Sequence, residues 1–539
     1  MEKKLWIGAA VLVVLGAVAG GLFGRLAKTS ASGEMSPGRI VSDYREALEV
    51  IEKNYAGKID HEKISDTSIQ STLWTLDPHS GFFTRDEFRK LYEEQASKFY
   101  GIGVSILQHR DGVYVQSVVP GTPAEKAGLR YGDRFLEVDG KNATEWTSAE
   151  VATNVRGERG TPVKLKIERA AAPQPIDFTI VRGGVPLPSI RNYFMLPDGV
   201  GYIGLVGGFQ ETTADELDEA IAALEKQGMK SLVLDLRNNP GGLLPQAVEV
   251  VGRFVPGGRT VVSVKGRSRY ATSEELRTSG SEFHNFPLTV IINGGSASAS
   301  EIVAGAIQDY GRGMIVGTDS FGKGLVQRVF PLPYGTGLTL TTARYYTPFG
   351  RSLQRDYSNG SIYEYYTHSD AAEVDTKPKP AGEPVTTPDG RVLYGGRGIE
   401  PDVVVKPPEN GTLRFRVNEA AFFFVRQLVA GKIAGFESYR VEKQDQRLSF
   451  PPGSIQVNDK LFEAFRQYAL GMKDSGLTAA NLSGLADHAR TRIREELATA
   501  MHSNEAGAQV LLEVDPQVLK AIETMDQSRQ LAARTKDRE

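Results

Sequence analysis

Apolar positions recur along this chain with different periods, and the changes of period divide it. Tyr44, Ala47, Leu48 and Ile51 recur at helical spacing, and Leu73 and Leu76 continue the pattern past a short break, so Ile40 to Ala96 reads as helical. At Phe99 the pattern shortens to strands separated by turns: Val104 to Gln108, Val113 to Val118, Arg134 to Val138, Val163 to Arg169 and Ile176 to Val181, with one helix from Ser148 to Val155. That predicts a small β-rich domain over 99–184. From Val185 strands alternate with helices. Val200 to Leu205, Ser231 to Leu236, Leu288 to Ile292 and Met314 to Val316 read as strands. A helix opens at the capping box Thr213-Ala-Asp-Glu216, carries Leu217, Ile221 and Leu224 on one face and closes at Gly228. Val248 to Val255 and Ser298 to Gln308 read as further helices. The alternation predicts a layered α/β core over 185–408. Ser352 to Gly395 is polar and rich in Tyr, Thr and Pro, like an inserted loop or protruding hairpin. The chain is then helical over 409–539, with Phe462, Phe465 and Leu470 on one face and Leu511, Leu512, Val518, Leu519 and Ile522 on another.

The N-terminus carries a different signal. Leu5 to Gly24 is uncharged and mostly apolar, preceded by Lys3 and Lys4 and followed by Arg25 and Lys28. Twenty helical residues span a hydrocarbon core, so residues 1–28 read as an uncleaved anchor, with a cleaved export signal as the alternative. Residues 29–38 read as a linker and 39–98 as an N-terminal helical region. Either N-terminal reading places most of the chain outside the cytoplasm, in a bacterial periplasm or on the extracytoplasmic face of the inner membrane. The length of 539 residues calls for several domains. A net charge of −3 offers no basic face for nucleic acid. The absence of cysteine excludes disulfides, thiolate catalysis and zinc–cysteine sites.

Three stretches carry candidate chemistry. In Asn293-Gly-Gly-Ser-Ala-Ser298-Ala-Ser-Glu301 a glycine-rich turn joins an apolar strand to a helix, a place that exposes a hydroxyl beside backbone N–H groups. The same residues also read as a plain capping box, Ser298-x-x-Glu301. Lys323 stands between Gly322 and Gly324. In solvent it is an ordinary loop lysine; buried, its amine loses its proton more easily and can serve as a general base. Asp235-Leu-Arg-Asn-Asn-Pro-Gly241-Gly242 ends a strand, and its glycines allow close approach of N–H groups, as an oxyanion hole needs. A tight strand-to-helix turn or a phosphate cradle fits the same residues, although the G-K-[ST] ending of a P-loop is missing.

The seven histidines form no metal-ligand spacing and no evident Ser/His/Asp triad. His61, His109, His284, His368, His488 and His502 stand in polar or loop-like contexts. His79 falls in Leu76-Asp-Pro-His-Ser-Gly-Phe-Phe83, which reads as turn chemistry with Asp77 and His79 satisfying local hydrogen bonds. Phe99-Tyr-Gly101-Ile-Gly103-Val104 is a glycine-bracketed turn entering a strand. It is either an ordinary strand entry or a loop whose N–H groups face a carboxylate, beside a strand that accepts a peptide edge-on.

Taken in order, these stretches resemble the carboxyl-terminal processing peptidases, a family of PDZ-containing, tail-specific serine proteases. The resemblance runs from about Tyr44 to Val405. It rests on Leu76-Asp-Pro-His-Ser80, Phe99-Tyr-Gly-Ile-Gly103, Gly121-Thr-Pro-Ala-Glu-Lys-Ala-Gly-Leu129 with Gly132-Asp133, Asp235 to Gly242, Gly295 to Glu301, Gly322-Lys-Gly-Leu-Val-Gln327, Thr342-Ala-Arg-Tyr-Tyr-Thr-Pro348 and Gly396-Arg-Gly-Ile-Glu-Pro-Asp402. It implies a multidomain α/β fold: a layered, crotonase/ClpP-like protease core, an inserted β-rich PDZ domain over 99–184, and helical N- and C-terminal regions. It also implies a Ser/Lys dyad of Ser298 as nucleophile and Lys323 as base, with Gln327 positioning the lysine. The oxyanion hole would take the Ala299 N–H and a glycine N–H from Gly241 or Gly242. Tyr100, Gly101, Ile102, Gly103 and Val104 would hold the carboxylate of a substrate's free C-terminal tail. No metal or organic cofactor is implied. The partners expected are protein or peptide substrates, the membrane through the N-terminal helix, and a second copy or an adaptor through the C-terminal helices. The competing reading is a catalytically silent, membrane-anchored PDZ scaffold, which would be expected to have lost Ser298, Lys323 or Gln327; all three are present.

Overall fold

The computed structural model describes residues 36–95, 98–267, 273–280, 282–357, 365–366, 382–451, 453–473 and 475–536. The apolar run Leu5 to Gly24, most of the following linker and much of 352–395 lie outside the described residues. Among the described residues no helix is long and apolar enough to cross a membrane. The chain divides into two units, one ending at Ser68 and the other running from Ile69 to Glu539. The first contains helix Pro37–Asn54, whose Ser36 cap accepts the Arg39 N–H and whose Tyr44 hydroxyl donates to Ser68 Oγ at 2.8 Å.

In the second unit the protease core is built on a six-stranded sheet. Ile190–Met195 pairs antiparallel with Val200–Leu205, and Ser231–Asp235, Leu288–Ile292, Met314–Gly317 and Val403–Val404 follow in parallel order. Val200–Leu205, Ser231–Asp235 and Leu288–Ile292 are buried at every position, as strands covered on both faces must be. Helices Thr213–Lys226, Leu244–Gly252 and Ala299–Asp309 bury their apolar faces in the main core with Ile203, Leu232, Leu234 and Val290. The capping box expected at Thr213 is not what opens its helix. Thr212 is the N-cap, Thr213 is the first helical residue, and the Thr213 hydroxyl instead accepts the Gln210 N–H at 2.8 Å.

A second sheet went unread in the sequence. Gly337–Tyr346 pairs with Leu325–Pro331, Thr260–Lys265 and Gly81–Phe83, and Glu274–Arg277 extends it. Gly81–Phe83 comes from the stretch read as wholly helical, so that stretch contributes a strand to the protease core.

The PDZ domain is a separate antiparallel sheet in which Val104–His109 is an edge strand, paired on one side with Gly112–Val118. Its core gathers Ile102, Val113, Phe135, Val151, Val163 and Ile167. Lys98–Gly101 and Gly183–Pro186 pair with each other where the chain enters and leaves this domain.

The C-terminal helices have two destinations. Thr412–Val429 and Ala486–Met501 pack with the PDZ residues Tyr114 and Tyr131 in one cluster. Pro516–Glu523 and the start of Met525–Lys536 pack instead on the protease sheet, where Val518, Ala521 and Met525 meet Phe194, Tyr202, Val233 and Ile291.

Candidate active site

Two turns at the C-terminal ends of parallel strands form the site. The first succeeds Ser231–Asp235. Asp235 accepts the Arg237 N–H and guanidinium and the Tyr202 hydroxyl. The same guanidinium reaches Asp515 at 2.7 Å and Gln517 at 2.8 Å, so the C-terminal helix braces the base of this turn. Asn239, fully buried, organises the rest of the turn. Its side-chain amide donates to Leu205 O, its Oδ1 accepts the Gly241 N–H at 2.9 Å, and its backbone carbonyl accepts the Ala297 N–H and the Ser300 hydroxyl.

The second turn succeeds Leu288–Ile292 and contains three serines. Ser296 Oγ donates to Leu236 O at 2.8 Å and Ser300 Oγ to Asn239 O at 2.9 Å. Both hydroxyls therefore stitch the two turns together. Ser298 differs. It sits at φ 55°, ψ −112°, a region that costs a residue with a Cβ on the order of 1–3 kcal/mol, and its side chain makes no cap hydrogen bond. Burial pushes the phenol of Tyr345 up to about 12, and the Ser298 side chain opposes the rise. The capping box closes through the Glu301 carboxylate, where the Ser298 N–H donates to Oε2 at 2.8 Å.

Glu301 is the hub of the site. Its fully buried carboxylate accepts four donors: the Ser298 N–H, the Ser320 hydroxyl at 2.5 Å, the Gly322 N–H at 2.7 Å and the Lys323 N–H at 2.8 Å. Burial raises its carboxyl above the ordinary range, and these four bonds oppose the rise. One side chain thus ties the turn of Ser298 to the loop of Lys323. Burial lowers the Lys323 amine below its ordinary value, against the pull of Glu301 and Asp77. Among the described residues, no carboxylate forms an ion pair with its Nζ.

Gly241 and Gly242 have different surroundings. A Cβ on Gly241 would lie 2.8 Å from Ala297 O and from Ser298 Cβ and 2.9 Å from Ala299 N; one on Gly242 would lie 2.2 Å from Phe209 O. Gly241 therefore backs onto the Ser298 turn and Gly242 onto the strand-like Phe209 segment. Gln327 lies on the strand Leu325–Pro331, and its amide donates to Thr341 Oγ1 at 3.2 Å; no bond from it to Lys323 is among those described.

The turn Asp77–Ser80, read in the sequence as local turn chemistry, does satisfy itself: Asp77 accepts the N–H groups of His79 and Ser80 and the Ser80 hydroxyl. It also packs at the site. Ser80 Oγ accepts the Thr341 N–H at 3.1 Å, and the charges of Lys323 and Asp77 both act on His79. No sequence signal marks this contact, because an Asp-Pro turn specifies its own geometry and not its neighbour.

In the PDZ domain Gly103 is at φ +86°, where a Cβ would overlap Thr122. The Ile102 and Gly103 carbonyls accept the N–H groups of Ala124 and Val119, and the N–H groups of Ile102 and Gly103 have no partner among the described residues. Tyr100 is half-buried and Gly101 buried at the mouth of this loop, and Val104 opens the edge strand. No group of three or more potential metal-ligating side chains occurs among the described residues.

Two apposed glycine-rich turns on a layered α/β core, joined to a PDZ module, are the arrangement of a PDZ-containing peptidase. The sequence profile of peptidase family S41 matches residues 199–360, and that of the PDZ domain matches residues 101–180. The carboxy-terminal-processing protease of Bartonella bacilliformis is 36% identical over 329 residues, which span 60% of this chain and 75% of the relative. The carboxy-terminal processing protease CtpA of Bacillus subtilis is 33% identical over 310 residues, 57% of this chain and 66% of the relative. Among solved structures, a photosystem II D1 C-terminal processing protease is 27% identical and aligns over 67% of this chain and 86% of its own, with a TM-score of 0.36. The chain belongs to the carboxy-terminal processing protease family.

Proposed function

We propose that this protease cleaves proteins near their C-termini by an acyl-enzyme mechanism with Ser298 as nucleophile and Lys323 as general base. The observation that carries the reading is the division of labour among three neighbouring serines. Ser296 and Ser300 give their hydroxyls to backbone carbonyls, while Ser298 is held in a strained turn and tied through Glu301 to Lys323. The buried amine of Lys323 removes the Ser298 proton as Oγ bonds to the scissile carbonyl carbon. The oxyanion forms against N–H groups at the helix start. Collapse breaks the peptide C–N bond and returns the proton to the leaving amine; water then attacks the ester and releases Ser298. Positioned proton transfer contributes about 10²–10⁴-fold to such a rate. One oxyanion donor is worth about 10²–10³-fold.

The Ala299 N–H, free of any partner among the described residues, is one donor. For the other the hydrogen bonding favours Gly242: the Gly241 N–H is spent on Asn239, whereas that of Gly242 has no partner among the described residues. Gly241 then serves by its lack of a side chain. Gln327 reaches the lysine side of the site through Thr341. The unpartnered N–H groups of Ile102 and Gly103 support capture of a tail's carboxylate, with the tail adding to the edge strand Val104–His109 beside helix Ser148–Val155. Export or anchoring rests on the apolar run Leu5 to Gly24 alone.

The test uses an unstructured peptide with an apolar, free C-terminus. Cleavage should be lost in Ser298→Ala and in Lys323→Ala, and it should weaken through KM when the peptide's C-terminus is amidated. Cleavage by both variants at the wild-type rate would discard the dyad.

A further inference from the structure

The Lys323 loop is also held by residues that neither the dyad nor the oxyanion hole uses. His79 Nε2 lies 2.8 Å from the Tyr365 hydroxyl and Nδ1 lies 3.3 Å from that of Tyr366. The Tyr366 hydroxyl donates to Pro78 O, so it accepts from Nδ1–H. Nε2 then carries the lone pair and accepts from Tyr365, whose oxygen in turn accepts the Gln354 amide at 3.2 Å. Gln354 Oε1 accepts the Gly324 N–H at 2.9 Å. An unbroken chain of hydrogen bonds therefore runs from His79 to the peptide next to Lys323. Arg355 tightens it. Its N–H donates to Gly322 O at 2.9 Å, and its guanidinium lies over Phe321 at 4.8 Å and over Tyr365 at 4.7 Å. His79 packs edge-on against Phe321 and Tyr365.

We propose that His79 is a positioning residue for Lys323, its imidazole fixing the Gly322–Gly324 loop through Tyr365 and Gln354 and closing the lysine's surroundings to water. The inference rests on the reading of Lys323 as the base. Both ring nitrogens are satisfied in the neutral form, and a second ring proton would require Tyr365 to turn its hydroxyl hydrogen away from Nε2. The charged and titratable groups around the ring agree. Burial lowers the imidazole to about 4, Lys323 and Arg355 add to the lowering, and Asp77 opposes it; the phenols of Tyr365 and Tyr366 are both raised by burial. Glu301 accepts the Lys323 N–H, and its charge opposes the lowering of the lysine amine. The ring is thus uncharged wherever a protease of this kind works near neutrality. A solvated replacement would let water reach Lys323 and return its amine toward the ordinary value.

The experiment is the pH dependence of peptide cleavage for the full chain and for His79→Ala, Tyr365→Phe and Lys323→Ala. For His79→Ala the acid limb of kcat/KM should move up by at least about one pH unit, and kcat near neutrality should fall at least about tenfold with KM little changed. Tyr365→Phe keeps its ring against Phe321 and Arg355 but breaks the chain to Gln354. It should lower kcat several-fold without moving KM, and it carries the test if His79→Ala does not fold. An acid limb for His79→Ala that coincides with wild type, or an unchanged kcat for Tyr365→Phe, overturns the proposal. Lys323→Ala separates the two readings. If it is inactive while the other variants behave as wild type, the dyad stands and only the positioning role fails. If it stays active while His79→Ala is dead, the histidine is the base and both fail.

Discussion

Glu301 accepts the backbone N–H of Lys323 at 2.8 Å on the same oxygen, Oε2, that accepts the backbone N–H of Ser298 at 2.8 Å. Glu301→Gln tests the role of that shared oxygen. An amide of the same size keeps one acceptor and turns an NH₂ toward donors, so at least one backbone N–H loses its acceptor and the Ser320 hydroxyl must reverse inside a fully buried site. Unmet buried donors around a charged acceptor cost about 2–4 kcal/mol. The displaced turn should also cost about 10²-fold in kcat. Thermal unfolding and steady-state kinetics check the two effects separately. Wild-type kcat in a folded Glu301→Gln would show that the hub holds the fold and not the geometry of the site.

Lys323 gives a pH prediction with a definite sign. Its folded amine is depressed below 10.5 by burial, so it is charged and inactive as a base below the folded value and neutral above it. kcat/KM should therefore rise with pH through a limb whose midpoint lies below 10.5. The same depression burdens stability. Between the folded and unfolded values the unfolded chain binds more protons, so stability rises with pH across that window and the cost is greatest below it. Lys323→Met, which removes the buried amine, should lose at least about 10²-fold in activity and melt higher than wild type at neutral pH. An unchanged or lower melting temperature would count against burial of a chargeable amine here.

Most of the main sheet was legible because its strands are buried on both faces and announce themselves as apolar runs: Ser231 to Leu236 and Leu288 to Ile292 lie within a residue of the observed strands. The second sheet was not legible. Leu325–Pro331 and Gly337–Tyr346 are largely half-buried and mix Thr, Arg and Gln with apolar residues, so neither periodicity nor an apolar run marks them. In the site, sequence motifs singled out Ser298 and Lys323. They could not say which of Gly241 and Gly242 keeps its N–H available, because that depends on Asn239 taking up the Gly241 N–H. Asp77 and His79 were read as a self-contained turn. The bonds that Asp77 accepts are local as expected, but the turn's other contacts, Ser80 to Thr341 and His79 to Tyr365, are made across more than two hundred residues of chain.

Gly241 sits at φ +98° with Ser298 Cβ and Ala299 N directly behind it. Gly241→Ala should therefore cost at least about 10²-fold in kcat/KM by pushing the Ala299 N–H and Ser298 out of register. Gly140, at φ +76° with open space around it, is the control. Gly140→Ala meets only the backbone penalty of about 1 kcal/mol and should leave kcat/KM as it was. Equal activity losses in the two variants would mean that backbone strain, and not contact with the serine, governs the effect.

The PDZ domain meets the C-terminal helices over a buried acidic pair. Glu496 Oε2 accepts the Tyr131 hydroxyl at 2.8 Å and the Gln116 amide at 3.3 Å, and Arg492 lies 3.3 Å from Glu495 and 3.6 Å from Glu496. One arginine cannot neutralise two carboxylates out of water, so burial and then the charge of Glu496 push Glu495 up to about 8. Linkage sets the sign. Below about 4.5 both folded and unfolded chains hold the proton; between there and about 8 only the folded chain does, so the stability contribution is lost progressively as pH rises through that window. Glu495→Gln keeps the size and the neutral form. Its advantage in melting temperature over wild type should be near zero at the acid end, grow through the window and level off above it. Unfolding curves recorded at intervals across this range decide the matter. A constant offset between the two proteins at every pH would mean that Glu495 is not the titrating group at the junction of the PDZ domain and the helices.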